Sequence, residues 1–189
     1  MQKKLLECFY TISKFSDHEQ IRDNLLNLLS KSNYTSPKHP ESEVDITKCD
    51  WNVAQDFRRP WVEYLKDKLL QHMLEVYKNV GYDGYTLHEI WFQQYLTGSG
   101  HGWHTHSGNF TQVYYLEMPE DAPKTQLVSP FDQKTIIEVD AQEGDIISFP
   151  SFVIHKGPQN NSTKQKTIIS YNTSVTYSDD IYGKHIGEK

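Results

Sequence analysis

The chain has 189 residues, a formal net charge of −6, 37% hydrophobic residues and a 13% aromatic share. That length suits one domain with a core of its own, and the composition argues against disorder. No run of Lys or Arg exceeds a pair, so nucleic-acid or anionic-membrane binding through bulk charge is not expected. Cys8 and Cys49 belong to no C-x-x-C pattern, which fits a reducing compartment and offers no thiolate metal site. The first apolar run ends at Leu6, too short for a signal peptide, and no stretch approaches the ~20 residues of a membrane span. The expectation is a cytoplasmic protein with no membrane partner.

The first part of the chain reads as helical. Ser16-Asp17-His18-Glu19 has the form of a capping box, and Ile21, Leu25, Leu28 and Leu29 follow as one apolar stripe. Lys31 to Glu43 carries loop chemistry. A second helix is predicted from Pro60, whose fixed φ suits a first turn, with Trp61, Leu65, Leu69, Met73, Val76 and Val80 on one face and Gly81 as its stop. Beyond Gly84 the pattern becomes β-branched and aromatic. Strands are predicted over 85–96, 111–117, 135–139, 145–149 and 166–177, separated by turn signals such as Gly98-Ser99-Gly100 and Glu143-Gly144. Helices followed by short strands predict an α+β protein: an antiparallel jelly roll, the cupin-like double-stranded β-helix, with N-terminal helices packed on it. We expect a single domain over 1–189: a mainly helical support region at 1–84, a jelly-roll core at 85–177 and a polar tail at 178–189.

Three of the nine histidines, His101, His104 and His106, fall within six residues. Residues two apart on a strand share a face and sit about 7 Å apart, so His104 and His106 should converge, whereas His101 has the opposite parity. Any one of these alone would read as a loop histidine. What suggests a metal is the H-x-H pair followed by His155, which comes after the apolar strand Asp145–Phe149 and Pro150. A jelly roll brings such distant strand ends together at its mouth. Three neutral imidazoles would suit iron or zinc and leave positions open for other ligands. Ser148 and Ser151 lie near His155 but lack nucleophile-elbow glycines, which argues against a hydrolase.

Taken in order, Trp91-Phe92, Tyr95, Gly98 to Gly100, His101-x-x-His104-x-His106, Val113-Tyr114-Tyr115-Leu116, Glu143-Gly144-Asp145 with Phe149-Pro150-Ser151 and His155, and Lys166 to Asn172 resemble one known family. It is the 2-oxoglutarate/Fe(II) dioxygenase superfamily, in its prolyl-4-hydroxylase-like group, and a branch that carries H-x-H where most relatives carry H-x-D. The resemblance spans residues 86–176; residues 1–84 carry none. It implies His104, His106 and His155 as catalytic metal ligands. It also implies Lys166, eleven residues past His155, as the cation for the far carboxylate of 2-oxoglutarate, with His101 as a second contact to that carboxylate. The bland alternative for Lys166 is a solvated surface lysine.

The implied cofactors are Fe(II) and 2-oxoglutarate, and the implied reaction is O2-dependent hydroxylation of a C–H bond in a small-molecule or peptide substrate. A histidine in place of the carboxylate makes the ligand set neutral, which keeps two rivals open. One is a three-histidine cupin-type oxygenase independent of 2-oxoglutarate. The other is a non-catalytic jelly-roll binding module that contains a metal. Neither the prime substrate nor the oligomeric state is legible.

Overall fold

The computed structural model describes residues 8–32, 34 and 45–176. The polar tail, and most of the loop expected between Lys31 and Glu43, lie outside the described residues. In chain order the elements are β1 (Thr11–Lys14), α1 (His18–Ser30), β2 (Lys48–Cys49), a 3-10 turn (Trp51–Val53), α2 (Pro60–Asn79), β3 (Gly84–Tyr95), β4 (His101–His104), β5 (Phe110–Glu117), β6 (Gln126–Val128), β7 (Ile136–Glu138), β8 (Asp145–Pro150), β9 (His155–Gly157) and β10 (Lys166–Thr176). They build the expected α+β jelly roll. A six-stranded sheet in the order β1-β8-β5-β10-β3-β2 faces a four-stranded sheet in the order β4-β9-β6-β7, and every strand pairing is antiparallel.

The larger sheet is the middle of three layers, which explains why its strands read as almost continuous apolar runs. Ile90 and Phe92 of β3, Tyr114 and Leu116 of β5, and Ile169 and Tyr171 of β10 pack toward the helices with Ile21, Leu25, Leu65, Leu69 and Met73. Their neighbours of opposite parity, Trp91, Tyr95, Val113, Tyr115 and Ile168, pack between the sheets with Leu127, Ile147 and Phe149. A strand therefore presents one set of side chains to the helical support and the next set to the interior of the jelly roll.

Both predicted helices are present, but the start of α1 differs from the expected capping box. The N-cap is Asp17, with no side-chain cap; the Asp17 carboxylate instead accepts from Lys68 Nζ of α2 at 2.7 Å. Helix α2 begins at Pro60 as predicted, and Gly81 follows its end at φ +95°, a conformation that favours glycine. Its start is anchored by a buried group. Asp50 takes the Arg59 guanidinium, Trp61 Nε1–H at 2.9 Å and the Phe92 backbone N–H at 2.9 Å. This one carboxylate joins the helix to the middle of β3.

Candidate metal centre

The three histidines reach one point by different routes. His104 ends β4, and His155 opens β9 as its direct cross-strand partner. His106 stands two residues beyond β4, outside any strand. The expected same-face argument for H-x-H is therefore corrected: His106 is placed by its loop, whose backbone N–H donates to Ser151 O at 3.0 Å. His101, given the opposite parity, stays outside the cluster of ligand atoms yet lines the same cavity. The β4–β9 pairing slips between His101 and His104, a bulge that turns residues of opposite parity to one side. The rings of His101 and His104 stack with centroids 3.8 Å apart and planes at 19°.

Candidate ligand nitrogens of His104, His106 and His155 all lie within 4.8 Å of one another. Metal–nitrogen bonds of about 2.1 Å hold two ligand atoms at most about 4.2 Å apart, a gap that small ring rotations close. Two of the rings are held by backbone carbonyls. His104 Nδ1 lies 2.7 Å from Gly102 O, and His155 Nδ1 lies 3.0 Å from Val153 O. A carbonyl only accepts, so each Nδ1 carries the proton and each Nε2 keeps its lone pair for a metal. Burial pushes all four imidazoles below their ordinary range, His101 and His106 to about 3, so they are neutral near pH 7. Phe149 packs edge-on against His155 at 4.6 Å, and Trp91 lies 5.4 Å from His106. The donor set and the dry wall fit a divalent transition metal.

Lys166 is not the solvated lysine of the bland alternative. It is 3% exposed, its ammonium donates to Pro123 O at 2.5 Å and lies 5.6 Å from the Tyr115 ring centre. It takes part in none of the ion pairs among the described residues. Burial alone lowers its pKa to about 8. A buried cation without a carboxylate is costly unless a ligand supplies one. Lys166 shares a face of β10 with Ile168 and Ser170, which line the histidine cavity.

That cavity encloses about 20 Å³, room for an ion or one water. His101, Lys156 and Gly157 also line an adjoining groove of about 420 Å³. Four buried polar residues on the cavity wall, Gln93, Thr111, Thr125 and Ser170, were missed from the sequence. A signal existed for two of them. Gln93 interrupts Trp91-x-Gln93-x-Tyr95, and Ser170 follows Ile168 at the same period, each a polar residue on an inward-facing apolar row. Ser151 is not set up as a nucleophile: its hydroxyl pairs with Thr111 Oγ1 at 3.0 Å.

No protein-family model matches the chain, and no curated protein matches it by sequence. Solved structures do match in shape. A prolyl-4-hydroxylase from Pseudomonas putida superposes with a TM-score of 0.62 at 13% identity, covering 87% of this chain and 92% of that one. A prolyl hydroxylase from Trichoplax adhaerens, solved with a hypoxia inducible factor oxygen degradation domain peptide, superposes at 0.63 with 15% identity, covering 93% and 86%. The fold is that of the prolyl hydroxylases. It is shared more widely, because the non-heme alpha ketoglutarate dependent carbocyclase SnoK from nogalamycin biosynthesis superposes at 0.64 with 13% identity, covering 94% of this chain and 87% of its own. Identities this low carry the fold and not the substrate.

Proposed function

We propose that this protein is an Fe(II)- and 2-oxoglutarate-dependent dioxygenase that hydroxylates a C–H bond of a small-molecule or peptide substrate. The observation that carries the reading is the convergence of His104, His106 and His155 in the mouth of a jelly roll, with Nε2 of His104 and His155 left free by backbone acceptors. When bound, Fe(II) with 2-oxoglutarate and O2 supplies the oxidation: one oxygen atom enters the substrate C–H bond and the other enters succinate, with loss of CO2.

The chain's own residues bind and orient. Gly102 O and Val153 O hold two imidazoles in the ligating tautomer. Lys166 provides a desolvated positive charge for the distal carboxylate of the keto acid, and His101 a second polar contact. The Lys166 ammonium has three donors, and Pro123 O takes one of them, which leaves others for that carboxylate. Trp91, Val113, Phe149 and Ile168 keep bulk water from the ligand face. The neutral ligand set leaves the bound keto acid as the main compensation for the metal's charge.

One observation favours a second reading. The space among the histidines is only about 20 Å³, too small for a keto acid unless its walls move, a demand that a three-histidine oxygenase without a keto acid does not make. Anaerobic titration of iron-loaded protein with 2-oxoglutarate separates the two. The proposal expects a visible metal-to-ligand absorption band that saturates at one equivalent. Iron-loaded protein that develops no band at millimolar keto acid supports the second reading.

A further inference from the structure

Four histidine rings share the mouth of the jelly roll, yet only three fit one metal. His101 stacks on His104, although its ring nitrogens stand outside the set that gathers within 4.8 Å. What distinguishes it is the partner of its Nδ1. In His104 and His155 that atom faces a carbonyl oxygen. In His101 it faces the side-chain amide of Gln93, whose Nε2 donates to it at 3.3 Å. The amide is held from behind: Ser170 Oγ donates to Gln93 Oε1 at 3.2 Å, across the β3–β10 pair. Gln93 and Ser170 are each 4% exposed, and both line the histidine cavity. An amide nitrogen only donates, so His101 Nδ1 must accept. The proton of its neutral ring then sits on Nε2, the reverse of His104 and His155.

We infer that Gln93, braced by Ser170, is a positioning residue that sorts His101 from the metal ligands. It makes Nε2 of His101 a hydrogen-bond donor for an oxyanion beside the histidine cluster, where His101 also lines the larger groove, and leaves that atom no lone pair for a metal. The identity of the oxyanion, the distal carboxylate of 2-oxoglutarate, rests on the function proposed above; the tautomer does not. The bulge in β4 gains a purpose from this arrangement. It brings a fourth imidazole to the site, and the amide assigns it a different role.

The test is long-range 15N NMR on the full-length, metal-free protein at pH 8, where imidazoles are neutral. The expected spectrum shows His101 protonated at Nε2, with His104 and His155 protonated at Nδ1. In Gln93→Leu, His101 should become a mixture of tautomers, and Gln93→Asn serves if the leucine variant does not fold. In anaerobic titrations, Gln93→Leu should weaken 2-oxoglutarate by about twofold, since the keto acid must select the Nε2–H tautomer from a roughly even mixture, at unchanged iron content. In a His101→Ala background the same substitution should have no further effect. His101 protonated at Nδ1 in the parent overturns the inference, as does an equal effect of Gln93→Leu with and without His101. A parent that shows the expected tautomers but binds no 2-oxoglutarate overturns the proposed function and leaves the sorting role of Gln93 standing.

Discussion

Lys166 and His106 are the residues on which the proposed chemistry turns, because they separate it from its nearest rivals. Lys166 is buried, lacks a carboxylate partner among the described residues, and is lowered to about 8 by burial. Replacing it with alanine should leave iron content unchanged and strand the distal carboxylate of 2-oxoglutarate, at about 2–5 kcal/mol. That is roughly 30- to several-thousand-fold weaker binding in an anaerobic titration. The exposed neighbour Lys164 is the control and should change little as alanine. The sign of the pH dependence follows from the charge. An ammonium that titrates near 8 loses its proton as pH rises, so parent affinity for 2-oxoglutarate should decline above pH 8. Lys166→Ala should lack that decline, and an equal pH dependence in both proteins would assign it to another group. For His106, held by its loop and packed near Trp91, aspartate should rebuild a two-histidine, one-carboxylate set. His106→Asp is expected to retain one iron per chain by elemental analysis. An intact fold with no iron would show that the loop accommodates an imidazole alone.

The elements that position these residues were unevenly legible. Helix α2 could be read to its ends, because Pro60 and Gly81 act locally. The long strands β3, β5, β8 and β10 were readable from their β-branched and aromatic runs. The short strands β1, β2, β4, β6 and β9 were not, since two to four residues carry no period and owe their form to pairing with distant partners. The bulge in β4 belongs to this class, and it explains why His101 lines the same cavity as His104 despite its opposite parity. The anchor at Asp50 was equally invisible, being joined to Arg59, Trp61 and Phe92 only by the fold. Asp50 is fully buried and burial raises its pKa, against the pull of Arg59. Asp50→Ala should therefore leave the guanidinium buried and unpaired, and cost about 3–5 kcal/mol in urea or thermal unfolding. A loss under about 1 kcal/mol would mean that the helix start and β3 are not coupled through this carboxylate.

At the scale of the whole molecule, a three-layer arrangement turns a modest chain into a rigid mouth. Helices α1 and α2 cover one face of the six-stranded sheet, which frees its other face to form a cavity with the small sheet. The proposed ligand set draws on β4, its following loop and β9, so a bound metal would tie the small sheet to the loop before β5. The histidine cluster was legible because an H-x-H pair and a further histidine after a distant apolar strand form a pattern that single histidines do not. The cavity wall was not, because which face of a strand points inward depends on which layer covers it. The claim that unites these levels is that the mouth couples O2 to a keto acid. The most direct measurement is succinate formation, followed by NMR, from 2-oxoglutarate and O2 by iron-loaded protein. The account predicts several turnovers per chain, dependent on iron and abolished in His104→Ala and His155→Ala, while His72→Ala, whose ring pairs with Ser13 on the helical side, retains them. Oxygen consumption that proceeds at the same rate without 2-oxoglutarate, or no succinate from a fully iron-loaded protein, would contradict it.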